Sequence, residues 1–342
     1  IRDRASSISN RAPGLTNSSR SLASSATRWL IWFHLLTSLG TCAQNSSRTG
    51  VWTVRFASLR ASATVRQPAS ALPQSPPDIA YLNLGTAVNA GVESPTYKYD
   101  SAVRTLVSGI PGEYVFEVLQ SSGSYLAGWF REALGDPRLL GEPDPELDAA
   151  ASTIPPGCEG LITLPYWNAV QSPYWDPVAR GAVVGWRGTH SRAHMYRSIL
   201  ESIGFEMRFN LDCIEKQTGV RITALRAMGG GTRSKLWRQI MADTAGVPIT
   251  TCVEDEISAL GAAVLAMAGI EAHDSHDVAV SAKAMAHFGD TTEPDVSLHE
   301  QYKDVAEVQH RLYPHLQEVF EDLHTLANRY PSTKPESPKL SS

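Results

Sequence analysis

From Ile79 onward the apolar positions recur every two residues in some stretches and every three or four in others, and the switches between the two outline an order of elements. Ile79-Ala-Tyr-Leu-Asn-Leu84 is short, apolar and closed by Gly85-Thr86, which predicts a strand and a turn. A second strand is expected over Ala87 to Val92 and a third over Tyr114 to Val118, behind the Pro111-Gly112 turn. Three strands joined by turns predict an antiparallel meander. A helix follows over Ser124 to Leu134. Gly135 to Pro156, rich in Pro, Gly and Asp, then reads as a surface connection, and Gly157 to Gly188 as an aromatic, Gly-rich stretch.

The longest helical pattern runs from Ser191 to Thr218, with Met195, Ile199, Ile203, Met207, Leu211 and Ile214 on one face. Ala224 to Met228 has strand length and feeds Gly229-Gly230-Gly231. Thr232 or Ser234 is then placed to cap a helix bearing Leu236, Trp237, Ile240 and Met241. Val247 to Thr251 predicts another strand, and Glu256 to Ala268 a small-residue helix ended by Gly269. Val305 to Leu326 is amphipathic and interrupted by Pro314. This order predicts an α/β fold, a mixed sheet covered by helices.

Charge divides the chain. Residues 1 to 72 hold nine Arg, no Lys and one acidic residue, Asp3, so this segment is +8, and the other 270 residues carry −13 of the total of −5. The acidic part lacks the clustered Lys and Arg that phosphate-rich surfaces require, so neither nucleic acid nor membrane is expected as a partner. Residues 1–77 form a Ser-, Ala-, Arg- and Pro-rich leader, expected to be disordered, a transit segment or a gene-model artefact, and no function is assigned to it. Its apolar stretch, Trp29 to Leu39, is about half of the roughly 20 residues that cross a bilayer. Cys42, Cys158, Cys213 and Cys252 form no C-x-x-C pair, which points to a reduced, cytoplasmic protein, with the three cysteines of the acidic part as filler beside apolar neighbours.

Several motifs carry candidate chemistry, each with a plainer alternative. A strand that enters a helix through Gly229-Gly230-Gly231 lets backbone N–H groups approach a phosphate, but a Gly triplet is also an ordinary turn. Neither a dinucleotide fingerprint nor a P-loop is present. Gly85-Thr86 could meet a phosphoryl oxygen with N–H and hydroxyl together, or could be a plain hairpin turn. His190 and His194 are one helical turn apart without the intervening Glu of a zinc protease, and are expected to face solvent. His273 and His276 read as a polar loop. Asp176 and Arg180 are expected to form an ion pair that shapes an aromatic-rich loop, with general base and phosphate clamp as the less favoured roles.

Five ordered motifs together resemble the FGGY family of carbohydrate kinases, in its xylulokinase-like branch, from about Ala80 to Ile270 and more loosely to about Leu326. The most specific is Gly181-x-Val183-x-Gly185, then Trp186, seven residues, and His194-Met195-x-x-Ser198-Ile199-Leu200-Glu201; Trp186 stands where the family has an aliphatic residue. The others are Leu84-Gly85-Thr86, the loop from Pro165-Tyr166 to Arg180-Gly181, the run from Met228 through the glycines to Asp243, and Ala259-Leu260-Gly261-Ala262-Ala263.

The resemblance implies an actin-like, ribonuclease H-like ATPase fold, of which this chain carries the second lobe only. It also implies ATP with Mg²⁺ as phosphoryl donor, and a ketose or polyol, xylulose foremost, as acceptor. Carried over by position, Gly85 and Thr86 face the terminal phosphates, Gly123 lines the nucleotide cleft, and Gly230, Gly231 and Ser234 lie near adenosine and its α-phosphate. Glu201 supports the lobe. The implied organisation is a C-terminal ATP-binding lobe over residues 78–271, a helical extension over 272–329 and a disordered tail over 330–342.

In the family the first lobe supplies the sugar contacts and a catalytic Asp in a Gly-rich turn. Here no Asp or Glu lies between Asp3 and Asp78, and Asp78 reads as the start of a strand. No catalytic residue and no metal ligand is therefore assigned. The expected partners are a nucleotide, and a sugar only where the first lobe is supplied; a homodimer stays open. The expected function is a sugar kinase by descent, inactive alone. The alternative is a non-catalytic nucleotide-binding module, either a pseudokinase or one subunit of a split protein. A dehydrogenase is third, since no acidic residue ends a strand about twenty positions beyond the glycines.

Overall fold

The structure, a computed structural model, describes residues 76–134, 144–254, 257–272 and 275–330. The expectations for residues 1–75 and 331–342, including Trp29 to Leu39 and Cys42, lie outside the described residues, as does His273.

The antiparallel part contains four strands, β1 (Ile79–Leu84), β2 (Val88–Ser94), β3 (Arg104–Val107) and β4 (Tyr114–Gln120), and is not the plain meander expected, because β4 comes between β2 and β3. β2 pairs antiparallel with β1 and with β4, and β3 pairs antiparallel with the outer side of β4. The sequence reading missed β3 because Arg-Thr-Leu-Val is short and lies at the sheet edge, with no fully buried position to mark a period. Helix α1 (Ser124–Leu134) follows, then α2 (Pro145–Ser152) inside the stretch expected to be plain connection. Asp144 caps α2 by accepting from the Leu147 N–H at 2.9 Å, and Pro145 occupies its first turn.

β5 (Ile162–Leu164) and β6 (Ala182–Val184) make a separate two-stranded ribbon. Next come α3 (Arg192–Thr218), β7 (Ala224–Met228), α4 (Lys235–Ala245), β8 (Ile249–Cys252), α5 (Ile257–Gly269), α6 (Val278–Met285), β9 (Phe288–Thr292) and α7 (Val296–Arg329). The main sheet has the order β3-β4-β2-β1-β7-β8-β9, with β1, β7 and β8 parallel. β9 therefore puts a strand into the segment expected to be a helical extension. Its Phe-Gly-Asp-Thr-Thr sequence is almost fully exposed, so no apolar alternation marks it.

Strand alternation gives the sheet two unlike faces. Ala80, Leu82, Leu84, Val88, Ala90, Val92, Phe116 and Val118 point to one side and form the main core with α1, α3 and α4. The other side holds a smaller apolar cluster of Tyr81, Val115, Met228 and Ile257, beside polar residues.

Helix α3 was expected to bury one stripe, but from Ala193 to Met207 it is buried on every side. The reason is that α1, α2, α4, β5 and α7 surround the faces the sheet leaves free, and α7 brings polar groups to meet those of α3. Glu201 is the centre of that contact. Its Oε1 accepts from Arg197 Nε at 2.7 Å and from the Tyr302 hydroxyl at 2.9 Å, and its Oε2 accepts from the Gly157 N–H at 3.0 Å. Arg197 also donates to the Ala151 carbonyl at 3.1 Å. The Arg197–Glu201 pair thus joins α2, the turn at Gly157, α3 and α7.

Pro314 does not interrupt α7, which continues as helix to Arg329. An interior Pro removes one helical hydrogen bond and costs about 3 kcal/mol. The burial of Tyr302, Tyr313 and Phe320 on either side offsets that cost. His194 is buried rather than solvent-facing: its Nδ1 accepts from the Ser191 N–H at 3.1 Å, closing a cap at the start of α3. Asp176 and Arg180 shape their loop separately. Asp176 accepts from the Val178 N–H at 2.8 Å and the Tyr313 hydroxyl at 2.9 Å, whereas Arg180 donates to the carbonyls of Val178 and Ala179. Asp78 immediately precedes β1 and accepts from the Thr223 hydroxyl at 2.6 Å. Among the described residues no helix is long and apolar enough to cross a membrane.

Removing one member of a buried ion pair leaves a charge without its partner and costs about 3–5 kcal/mol. Arg197→Ala is therefore expected to lose about that much in urea unfolding, and Tyr302→Phe about 1–3 kcal/mol through a lost bond to a charged group. An Arg197→Ala protein as stable as the parent would contradict the role given to Glu201.

Candidate functional site

Parallel pairing sets Asn83 of β1 opposite Met228 of β7, so the turns that follow, Gly85-Thr86 and Gly229-Gly230-Gly231, leave the same edge of the sheet side by side. The approach is close. A Cβ on Gly229 would lie 2.7 Å from Asn83 Oδ1 and 2.9 Å from the Leu84 carbonyl oxygen, and its φ is +88°. Neighbour and backbone both require glycine there.

The Gly85-Thr86 turn is oriented by α1. The Gly85 carbonyl accepts from the Ser124 N–H at 2.9 Å, and the Thr86 carbonyl accepts from Gly123 at 3.1 Å and Tyr125 at 3.2 Å. The free N–H groups of the helix start are thus taken up by the turn. In a trans peptide C=O and N–H point in opposite directions. With both carbonyls facing α1, the N–H groups of Thr86 and Ala87 face away from it. The Thr86 side chain is exposed and has no partner among the described residues.

The expected site residues therefore separate by environment. Gly230 is exposed, and a Cβ there would meet nothing within 4 Å. Gly231 is buried, its virtual Cβ 2.6 Å from the Trp237 ring. Gly123 is also buried and lies beneath the first turn, where a Cβ would fall 2.8 Å from the Gly85 carbonyl oxygen. Ser234 caps α4: its hydroxyl oxygen accepts from the Trp237 N–H at 3.2 Å and donates to Asp148 Oδ2 at 3.0 Å. That hydroxyl is committed, and a carboxylate beside it disfavours an anion at this helix end.

A buried polar ladder crosses the sheet toward the paired turns. Arg104 is ion-paired with Glu117, which is fully buried and accepts at Oε2 from the Tyr81 hydroxyl and from Asn89 Nδ2, both at 2.7 Å. Asn83 Nδ2 then donates to Asn89 Oδ1 at 3.1 Å, and Asn83 Oδ1 borders both Gly85 and Gly229. Burial first, and the Glu117 charge after it, push the Tyr81 hydroxyl well above its ordinary pKa, so it remains a donor. The sequence reading passed over Asn83, Glu117 and Asp148. The signal for the first two was a lone polar residue inside an apolar strand; for Asp148 the helix itself went unrecognised. Among the described residues no three His, Cys, Asp or Glu side chains group to hold a metal ion.

Residues 80–270 match the model of the FGGY family of carbohydrate kinases, C-terminal domain. The chain is 33% identical over 183 residues to a glycerol kinase of Solidesulfovibrio magneticus, covering 52% of this chain and 35% of that protein. It is 40% identical over 139 residues to a glycerol kinase of Oleidesulfovibrio alaskensis, covering 40% and 27%. In structure it resembles the xylulose kinase of Rhodospirillum rubrum, with a TM-score of 0.65 at 26% identity, covering 74% of this chain and 50% of that one. The chain thus spans about a third of the length of the curated relatives it matches and half of the solved one. The likeness extends to the actin-like ATPase fold expected from the sequence.

The crowding at Gly123 and Gly229 and the space at Gly230 have opposite consequences for stability. Gly123→Ala and Gly229→Ala are expected to cost about 1–3 kcal/mol through overpacking, and Gly230→Ala to stay within about 0.5 kcal/mol of the parent. Thermal melting of the three proteins checks this. A Gly123→Ala protein that melts with the parent would contradict the close seating of the turn on α1.

Proposed function

Because the chain belongs to the FGGY family of carbohydrate kinases, we propose that its paired turns form the nucleotide-phosphate site of a kinase that phosphorylates a ketose or polyol. The observation that carries this reading is the neighbouring exit of Gly85-Thr86 and Gly229-Gly230-Gly231 from parallel β1 and β7. Backbone N–H groups with no Cβ in the way favour an anion. In this reading the Thr86 N–H and hydroxyl meet the terminal phosphates, and the open flank of Gly230 admits the rest of the nucleotide. Gly123, Gly229 and Gly231 act by letting turn, helix and strand approach one another. Ser234 acts as the cap of α4.

The family uses ATP, typically with a divalent metal; bound ATP supplies the phosphoryl group. No residue of this chain is proposed as a ligand for Mg²⁺. Glycerol and xylulose are both retained as acceptors, because the relatives named above divide between them.

Taken alone, the chain is proposed to bind nucleotide without turning over sugar. Between Asp3 and Asp78 it has no carboxylate to accept the hydroxyl proton, and such assistance supplies about 10²- to 10⁴-fold in rate. Holding the acceptor hydroxyl in line supplies about 7–11 kcal/mol more. Asp176, the other carboxylate considered for this role, is occupied by Val178 and Tyr313.

Calorimetry of the full chain is expected to show ATP binding that Gly230→Val weakens at least about tenfold while the melting temperature holds, since its side chain fills the space a phosphate would approach. A coupled ADP-release assay with Mg²⁺ and xylulose, ribulose or glycerol is expected to show no sugar-dependent turnover. A folded Gly230→Val protein that binds ATP like the parent would overturn the site. Turnover at roughly 1–10³ per second that vanishes in Thr86→Val would overturn the claim of inactivity alone.

A further inference from the structure

Helix α7 carries a second apolar face that the lobe does not use. Tyr302, Tyr313 and Phe320 turn into the lobe and are buried. Beside them runs another row, Leu312, Leu316, Val319, Leu323, Leu326 and Tyr330, in alternating steps of four and three residues. Leu316 still packs against the cluster that holds Tyr166 and Tyr313. From there to the end of the helix the row is open: Val319, Leu323 and Leu326 are each 46% exposed, and Tyr330 is 72% exposed. Past Phe320 the one half-buried residue of α7 is His324, whose Nδ1 lies 3.1 Å from Arg180 Nη2.

Exposed apolar residues scattered singly need no explanation, but a continuous row does. Alternating steps of four and three are the spacing of a coiled-coil seam, whose side chains enter the holes of a facing helix with the same repeat. Pro331 follows Tyr330 directly, so the helix stops where the row stops. The open part, from Val319 to Tyr330, is roughly 18 Å of helix.

The charges that flank the row identify the facing helix. Asp322 and Arg329, two helical turns apart, are exposed and lie along the same edge of the seam. On the other edge Phe320 is held by the lobe and Ala327 is small and uncharged. Two copies of the segment laid antiparallel about a twofold axis set Leu323 against Leu326 of the second copy, and Val319 against Tyr330. The same arrangement brings each Asp322 beside the other copy's Arg329, so both flanks carry opposite charges. A parallel pair would instead set Asp322 against Ala327, which offers no counter-charge. We propose that the end of α7 pairs antiparallel with α7 of a second copy of this chain. The row is short and buries less than the roughly 1,200 Å² of a standard interface, so the dimer is weak and concentration-dependent. The inference rests on α7 and stands whether or not the paired turns bind nucleotide.

The test is sedimentation velocity of the full chain from micromolar to submillimolar concentration at low salt, with Leu326→Asp, Asp322→Arg and the double variant Asp322→Arg/Arg329→Asp alongside. Thermal melting of each variant at low concentration checks its fold, which substitutions at these exposed positions are expected to leave intact. We expect a monomer–dimer shift with concentration and a dissociation constant raised at least about tenfold in Leu326→Asp. Asp322→Arg is expected to weaken the dimer severalfold by setting like charges together, and the double variant to restore it. A chain that stays monomeric throughout the series, or a dimer that Leu326→Asp leaves unchanged, would overturn the proposal. In a monomer, a lower melting temperature for Leu326→Asp would assign the row to another part of this chain instead. A double variant as weak as Asp322→Arg alone would overturn the antiparallel pairing.

Discussion

Parallel strands cannot be joined by a tight turn, so β1 and β7 meet only after the antiparallel strands and all of α1, α2 and α3 have been laid down. That late pairing fixes what lies at the edge of the sheet. In a parallel pair both chains leave on the same side, and the turn after β1 must sit against the turn after β7. The approach tolerates no side chain at Gly229, and the first turn in turn tolerates none at Gly123. Helix α1 then spends its free N–H groups on the turn carbonyls, which aims the turn's own N–H groups away from it. Backbone geometry, more than any reactive side chain, is what the proposed anion site rests on.

The remainder of the lobe holds that edge in place. One face of the sheet is apolar and packs on α1, α3 and α4; the other carries the ladder from Arg104 through Glu117 and Asn89 to Asn83. Helix α3 is pressed between the sheet and α7, and its two inward carboxylates play different parts. Glu201 is matched by Arg197, Tyr302 and the Gly157 N–H, so it joins α3 to α7 and to the turn at Gly157. Glu206 has two neutral donors on one oxygen, Tyr166 and Gln309, and lines a small cavity.

Much of this was legible in the sequence. Apolar periodicity placed β1, β2, β4, α1, α3, β7, α4, β8 and α5, and the Gly triplet placed the strand-to-helix turn. What escaped lacked a periodic signal. β3 and β9 are short edge strands without a fully buried position, and α2 was hidden by a composition rich in Pro, Gly and Asp. The full burial of α3 was not legible because it depends on neighbours distant in sequence, among them α7, whose Tyr302 lies more than a hundred residues after the Arg197–Glu201 pair it meets. The candidate site was legible as a set of glycines but not as a division of labour. Only coordinates separate the open Gly230 from the crowded Gly229 and Gly231, or reveal that Ser234 is taken up by Trp237 and Asp148.

The central claim is that the exposed amides of the paired turns are the groups that meet nucleotide phosphate. Amide NMR of the full chain, with glycine and threonine labelled, tests it directly as ATP is added. The account predicts that Thr86 and Gly230 shift most, with smaller changes at the buried Gly123 and the crowded Gly229. ATP that binds while Thr86 and Gly230 stay in place would contradict it.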